Sequence, residues 1–202
     1  MGVAELWLDG FGRLMERAAH EIRNPLNAAV LGVQVIRQRA GRPDLSAASL
    51  RTFAESAAGE LDRAVTLIDA MLTLARPTRM PVDLAEVARP LAVLVNAAEA
   101  ASASPRLKLE VPGTASTITA SDGSAVRLVL LAAFQEGLRC DETATAEVTG
   151  STFGPTVTVR CTSSVEPPPS PVCEAARAAG ILIEPMGPIL RLSFPARAGD
   201  IS

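Results

Sequence analysis

The chain has few aromatic residues, almost no histidine and no excess of positive charge. Its 202 residues include no tyrosine, one tryptophan and one histidine, and aromatic residues make up 3% of the total. The formal net charge is -3. Proteins that bind nucleic acids combine basic surfaces with aromatic side chains that stack on bases. A nucleic acid partner is therefore not expected.

Cysteine is also scarce. Cys140, Cys161 and Cys173 are an odd number of thiols without the spacing of metal ligands. One histidine cannot complete a familiar zinc site with them. We therefore expect reduced thiols in a cytoplasmic protein, and no metal bound by this chain.

Long apolar runs are missing as well. The longest, Val126 to Phe134, contains Arg127 and is far shorter than the roughly 20 residues that span a bilayer. The first residues carry Glu5 and Asp9 without a basic leader, which argues against a secretory signal. Hydrophobic residues still make up 48% of the chain, enough for a packed core. We expect a folded protein without membrane insertion.

The N-terminal part contains two long amphipathic helical patterns. The first runs from about Val3 to Ala40 and ends at Gly41-Arg42-Pro43, and the second runs from Leu50 until Pro77 stops it. Each should bury one stripe of residues spaced three or four apart. Two such helices bury only half of their apolar surface against each other, so we predict a four-helix bundle formed by dimerisation. The alternative is a monomeric hairpin covered by the C-terminal half. The predicted stripes are Leu14, Ala18, Ile22, Pro25, Ala29, Val33 and Ile36, followed by Leu50, Phe53, Ala57, Leu61, Ala64, Ile68, Met71 and Ala75.

The single histidine, His20, falls on the polar side of the first helix. Residues three and four apart on a helix are surface neighbours, so Arg17, Asn24 and Asn27 should share this face. A solvated imidazole is partly neutral near neutral pH and can act as a nucleophile. The alternative interpretation is an ordinary surface histidine.

Two neighbouring residues bear on the chemistry of this imidazole. The Glu21 carboxylate could accept a hydrogen bond from one ring nitrogen and leave the other nitrogen free to attack phosphorus. Pro25 lacks a backbone donor, so we expect a local kink about one turn beyond His20.

Residues 20–28, His-Glu-Ile-Arg-Asn-Pro-Leu-Asn-Ala, resemble the phosphoacceptor box of bacterial sensor histidine kinases. In that family a His-Glu pair is followed by Arg, then Thr or Asn, then Pro-Leu. The resemblance implies that His20 is the phosphorylated residue and that Glu21 is its acid/base partner. It also implies that Asn24 helps to position water for hydrolysis of a regulator's phosphoaspartate.

The periodicity of the chain changes after residue 80. Alternating strand patterns and helical patterns follow one another, which predicts an α+β protein with domains at 1–80 and 81–202. The second domain should hold a mixed sheet covered on one face by helices. Its order, and its end from Ala178 to Pro195, resemble the ATP-binding domain of histidine kinases. The predicted helices are at about 84–100 (with Asp83 as its cap), 124–139 and 171–179, and the predicted strands are at 107–111, 117–119, 143–149, 156–162, 181–184 and 189–194.

This α/β sandwich has lost the residues that bind nucleotide in that family. Ala132 and Glu136 stand where the family has two asparagines that hold magnesium and the triphosphate. An Asp-x-Gly-x-Gly turn is replaced by Cys-Thr-Ser-Ser-Val-Glu at residues 161–166, and only residues 167–172 remain where a flexible lid would lie. The domain therefore resembles a degenerate ATP-binding domain, and we expect no ATP binding and no autokinase activity.

A phosphoacceptor hairpin joined to a degenerate nucleotide domain resembles the dimeric histidine phosphotransferases of bacterial phosphorelays. The resemblance implies phosphoryl transfer between His20 and aspartates of response-regulator receiver domains, with Mg²⁺ held by the regulator. Two alternatives remain open: a regulator phosphatase that uses Glu21 and Asn24, and a non-catalytic signalling adaptor. The exposed residues predicted to contact the regulator are Arg13, Arg17, Asn27 and Leu31.

Overall fold

A computed structural model describes residues 2–40, 47–77, 80–99, 106–112, 117–151 and 153–196. Helices and strands follow the predicted order, and the α+β class is confirmed. The predicted end of the first helix at Gly41-Arg42-Pro43 lies outside the described residues. The helices are α1 (Val3–Arg39), α2 (Ala47–Ala75), α3 (Leu84–Ala98), α4 (Gly123–Cys140) and α5 (Ser170–Ala178). The strands are β1 (Val82–Asp83), β2 (Leu107–Glu110), β3 (Ile118–Thr119), β4 (Ala144–Thr149), β5 (Thr156–Arg160), β6 (Leu182–Met186) and β7 (Ile189–Ser193).

Helices α1 and α2 pack closely along their length. A Cβ atom added to Gly32 would lie 3.1 Å from the Cβ of Ala57, so this glycine permits the close approach of the two helices. Arg39 lies over the ring of Phe53, 5.5 Å from its centroid. Pro25 is buried inside α1, which continues as one helix to Arg39.

The buried side of the hairpin differs in part from the predicted stripes. Val33, Leu61 and Ile68 were expected in the core but are 47%, 45% and 39% exposed, and Ala75 is exposed too. Within the single chain these four are exposed, because both helices carry two apolar faces and the chain itself covers only one of them. In α2 the covered residues pack against α1 and α3. The buried residues are Trp7, Leu14, Ala18, Pro25 and Ala29 in α1 and Ala57, Ala64, Leu67, Ala70, Met71 and Leu74 in α2.

The main sheet has five strands in the order β2-β4-β5-β7-β6. Strand β2 pairs with β4 in parallel, and the remaining pairs are antiparallel. Ala144, Ala146 and Val148 of β4 are buried and alternate with half-buried polar residues. Helices α3 and α4 pack against this buried side, which confirms a mixed sheet covered on one face.

A second, two-stranded sheet was not predicted from the sequence. Strand β1 pairs with β3 through Val82 and Thr119. Asp83 caps α3 as expected, since its carboxylate accepts a 2.9 Å hydrogen bond from the backbone of Ala85. The same carboxylate accepts a hydrogen bond from the hydroxyl of Thr117. This small sheet thereby fixes the start of α3 beneath the hairpin.

One hydrophobic core joins the hairpin to the second domain. Trp7, Leu14 and Ala18 belong to the same buried cluster as Leu74 and Leu131, and α1 contacts both α3 and α4. The core therefore continues across the domain boundary predicted at residue 80.

A buried arginine lies at this junction. Arg127 lies 5.7 Å from the centroid of the Trp7 ring, which stacks on Phe11 at a centroid distance of 4.9 Å. Arg127 Nη2 donates a 2.8 Å hydrogen bond to the carbonyl of Arg76 at the end of α2. Burial lowers the pKa of Arg127. This side chain thus links the start of α1, the end of α2 and α4.

Candidate phosphoacceptor site

The predicted functional residues of α1 lie on one exposed stripe. Their positions differ by three or four, which is the spacing of neighbours along one face of a helix. This face points away from the core that holds Leu14, Ala18 and Ala29. The sequence thus predicted correctly which side of α1 meets solvent. The stripe consists of Arg13, Arg17, His20, Asn24, Asn27 and Leu31, each of which is exposed.

His20 presents its imidazole to solvent near the middle of this stripe. Among the described residues the ring has no hydrogen-bond or ion-pair partner. A neutral imidazole in this state keeps one ring nitrogen with a free lone pair. The side chain is therefore accessible to a reactant from outside the chain.

Glu21 lies beside the stripe and is half-buried. Its Oε2 atom accepts a long hydrogen bond, 3.5 Å, from Nδ2 of Asn24. The expected hydrogen bond from the His20 ring to Glu21 is absent from the described residues. The reason is geometric, because adjacent residues of a helix do not face each other, whereas residues three apart do. The carboxylate and the amide thus form a pair next to the imidazole.

The stripe also contacts the second domain, which the sequence did not predict. Arg17 Nη1 lies 3.1 Å from Oε1 of Glu99, the residue that follows α3. The other oxygen of Glu99 lies 3.7 Å from Arg106. No local pattern could reveal this contact, because Arg17 and Glu99 are 82 positions apart. Arg13, in contrast, pairs with Asp9 on its own helix at 2.5 Å.

Ala132 and Glu136 line a cavity of about 230 Å³. These are the two positions at which the ATP-binding domain of histidine kinases has asparagines. The opposite wall of the cavity is the start of α1, including Leu6 and Gly10. The cavity is smaller than the roughly 300 to 1,000 Å³ of typical ligand pockets. Glu136 is engaged by Arg139, whose Nε donates a 2.7 Å hydrogen bond to it. The first turns of α1 therefore lie against the face of α4 that carries Ala132 and Glu136.

Residues 161–166, which stand where the ATP-binding domain of histidine kinases has a glycine-containing turn, are held by hydrogen bonds. Thr162 donates to the carboxylate of Asp141 through its backbone nitrogen at 2.8 Å and through its hydroxyl at 2.5 Å. These bonds lower the pKa of Asp141. Val165 N donates to the carbonyl of Gly187 at 2.8 Å. This segment is therefore an ordered connection between β5 and α5.

The cysteines Cys140, Cys161 and Cys173 are free thiols, as expected. Burial raises the pKa of Cys161 to about 11, so this thiol stays protonated at neutral pH. In the described ranges, no cluster of three histidine, cysteine or acidic side chains has the arrangement of a metal site. None of the helices in those ranges combines the length and the apolar content needed to cross a bilayer.

Comparison with known families identifies the hairpin. Residues 12–79 match the His Kinase A (phospho-acceptor) domain. The match spans the exposed stripe, α1 from residue 12 onward and the whole of α2. It confirms the resemblance drawn from residues 20–28. No curated protein sequence matches the chain.

Two solved structures resemble the whole chain. A bacterial phosphotransferase is 15% identical, with 92% of this chain and 95% of that chain covered and a TM-score of 0.47. A histidine kinase of Acinetobacter baumannii, AdeS, is 16% identical, with 89% and 98% covered and a TM-score of 0.43.

Proposed function

We propose that this chain, whose residues 12–79 are a His Kinase A phosphoacceptor domain, is a histidine phosphotransfer protein of a two-component phosphorelay. Its partners would be the receiver domains of response regulators. The observation that carries the proposal is the position of His20, which is solvent-exposed, unpaired among the described residues and located inside the matched domain.

In the first step, the lone pair of one His20 ring nitrogen attacks the phosphorus of the regulator's aspartyl phosphate. The nitrogen–phosphorus bond forms as the phosphorus–oxygen bond to the aspartate breaks, and the aspartate leaves as a carboxylate. The other ring nitrogen keeps its hydrogen, so the ring becomes positively charged until this proton passes to water or to a nearby base such as Glu21. The second step is the reverse reaction with the aspartate of another regulator, and neither step involves oxidation or reduction.

Positioning and charge stabilisation dominate such phosphoryl transfers, because their transition states are loose. The magnesium ion that supports the reaction would belong to the acidic pocket of the regulator. The chain itself would supply the nucleophile and the docking surface around it. A helix with a single histidine could therefore take part in the reaction without binding the metal ion itself.

The absence of autokinase activity is part of the proposal. Three features support it: Ala132 has no donor atom, the Glu136 carboxylate would repel phosphates, and the first turns of α1 cover this face of α4. A nucleotide could enter only if α1 separated from α4. That separation would expose Trp7 and Leu14, which are 4% and 2% exposed.

We also propose that the chain forms a homodimer through the hairpin. On α2, four large apolar residues spaced three or four apart are between 39% and 54% exposed. On α1, Leu26, Val30 and Val33 form a similar exposed stripe. Burial of such surface against a second copy is favourable by roughly 25 cal/mol per Å². A four-helix bundle would cover both stripes and leave the polar face of His20 accessible. The α2 residues are Leu61, Val65, Ile68 and Leu72.

Transfer can be tested with a regulator that carries radiolabelled phosphoaspartate, mixed with the chain and Mg²⁺. We expect label on the wild-type chain and none on His20→Ala. Gln34→Ala is the matched control, since Gln34 is an exposed polar residue of the same helix that lies outside the predicted regulator contacts. Equal labelling of wild type and His20→Ala would contradict the proposal.

A second candidate function is a regulator phosphatase, and the contact between Asn24 and Glu21 favours it. An amide and a carboxylate held together can orient a water molecule for attack on phosphoaspartate. In this case Asn24→Ala should lower the release of free phosphate more than it lowers transfer to His20. Equal loss of both activities would contradict the role assigned to Asn24. Binding of the regulator without either activity would leave the adaptor function.

A further inference from the structure

Two exposed arginines of α1, Arg23 and Arg17, are placed to contact a phosphoryl group on His20, and Arg17 is the one paired with the second domain. It precedes His20 by three positions, and side chains at this spacing are neighbours on a helix, about 5–6 Å apart at their Cβ atoms. Its side chain is 61% exposed, so the guanidinium can move. The planar guanidinium also carries several donors that match phosphoryl oxygens. In the unphosphorylated chain this guanidinium is bound to Glu99 at 3.1 Å.

Glu99 is held in a more rigid environment than Arg17. The Arg106 side chain, 22% exposed, contacts the second oxygen of Glu99 and also donates hydrogen bonds to three backbone carbonyls. These carbonyls end α4 and begin the next loop, so Arg106 is fixed to the body of the second domain. Glu99 is therefore an anchored carboxylate, and Arg17 is the mobile member of the pair. The three acceptors are Leu138 at 3.0 Å, Asp141 at 3.1 Å and Glu142 at 2.9 Å.

We infer that Arg17 is a positioning residue that exchanges between Glu99 and the phosphoryl group carried by His20. This inference rests on the proposed phosphotransfer function. In the resting chain Glu99 holds the guanidinium, and phosphorylation of His20 places about one and a half to two negative charges within one helical turn of it. The phosphoryl group then competes with the single charge of the carboxylate for the same donors. The second domain thus sets how strongly the phosphorylated histidine is stabilised.

This exchange predicts opposite effects for the two members of one ion pair. Removal of the Arg17 charge takes away the cation that stabilises phosphohistidine. Removal of the Glu99 charge takes away its competitor and frees the cation. If the pair only tied α1 to the second domain, both changes would break the same contact and would act in the same direction.

The pair of Arg160 and Glu147 offers a matched control. Its two side chains lie 3.5 Å apart and belong to the neighbouring strands β5 and β4. Neither residue lies on α1 or among the residues predicted to contact the regulator. Changes in this pair should therefore leave the phosphorylated histidine unaffected.

The experiment measures how phosphoryl groups divide between His20 and a regulator's aspartate once transfer has reached equilibrium. The wild-type chain, Arg17→Gln, Glu99→Gln, the double variant, Glu147→Gln and Arg160→Gln are each mixed with the same labelled phospho-regulator. We expect Glu99→Gln to raise the ratio of phosphohistidine to phosphoaspartate about two- to fivefold, and Arg17→Gln to lower it by a similar factor, in line with the strength of exposed charge pairs. The double variant should match Arg17→Gln, and the control pair should match wild type.

The outcomes separate this inference from the proposed function. Label on wild type with opposite shifts in the two single variants supports the exchange, and partial recovery in Arg17→Lys supports it further. Label on wild type with shifts in the same direction, or with no shift, overturns the exchange and leaves phosphotransfer intact. No label on wild type overturns both. Thermal unfolding of each variant identifies any shift that comes from loss of folding, and a shift found only in unfolded material counts against the exchange.

Discussion

The two halves of α1 have opposite relations to the rest of the chain. In the first half, Trp7, Leu14 and Ala18 are between 0% and 4% exposed, because α3 and α4 cover them. In the second half, Leu26, Val30 and Val33 are between 39% and 56% exposed. Both halves carry comparable apolar stripes, so the difference lies in whether the chain itself supplies a partner. The first half is part of a domain core, and the second half presents an exposed apolar stripe, which is the surface of the proposed dimer.

His20 lies where these two halves meet. The polar stripe that carries it runs along both halves, from Arg13 to Leu31. Its N-terminal end is near the second domain through Arg17 and Glu99, and its C-terminal end is next to the exposed apolar stripe. One helix thus carries the contact with the second domain, the proposed nucleophile and the proposed dimer surface.

The largest effect is expected from a charge placed in the exposed apolar stripe. Ile68→Glu would bury an unpaired carboxylate in the proposed dimer interface, which is strongly unfavourable. We expect a wild-type dimer to become a monomer, as measured by sedimentation equilibrium. Arg63→Glu, also on the exposed surface of α2 but outside the stripe, should remain dimeric. A monomeric wild type would contradict the proposal that the exposed apolar stripes form a dimer interface.

A smaller effect is expected in the covered half of α1. Trp7→Ala removes a buried ring that stacks on Phe11 and lies beneath Arg127. Loss of a large buried aromatic side chain costs about 3 to 5 kcal/mol in the free energy of unfolding. Urea denaturation should detect this loss, whereas Leu8→Ala, on an exposed neighbour, should change stability little. Similar values for both variants would show that α1 is not held by the second domain.

The smallest effect concerns the second domain alone. Hydrogen bonds from Thr162 lower the pKa of Asp141 in the folded chain. The stabilisation is therefore present above the unfolded pKa of about 3.9 and is lost as the pH falls through the folded value. Asp141→Asn should lower the melting temperature slightly at pH 7 and reduce its fall between pH 5 and pH 3. An unchanged fall in the variant would contradict the contribution assigned to this carboxylate.

Sequence patterns predicted the fold class, the order of the elements and the exposed face of α1. They succeeded there because helical and strand periodicity report burial directly. They did not reveal that the chain itself leaves Leu61 and Ile68 exposed, because α2 has two apolar faces. They also missed β1, whose two residues pair with a strand more than thirty positions away.

The candidate site was predictable only in part. His20 and its helical neighbours follow from the spacing within one helix, so their shared face could be derived. The pair of Arg17 and Glu99 could not, because it depends on how the second domain packs against α1. The expected contact between His20 and Glu21 was replaced by one between Glu21 and Asn24, since helix geometry favours neighbours three apart.

The central claim is that His20 receives its phosphoryl group from a regulator and not from ATP. The most direct measurement compares the two donors on the same wild-type chain: γ-labelled ATP with Mg²⁺, and a regulator labelled on its aspartate. We expect the chain to acquire acid-labile label from the regulator and none from ATP. The label acquired by His20→Ala should fall to background. Stoichiometric labelling from ATP alone would contradict it.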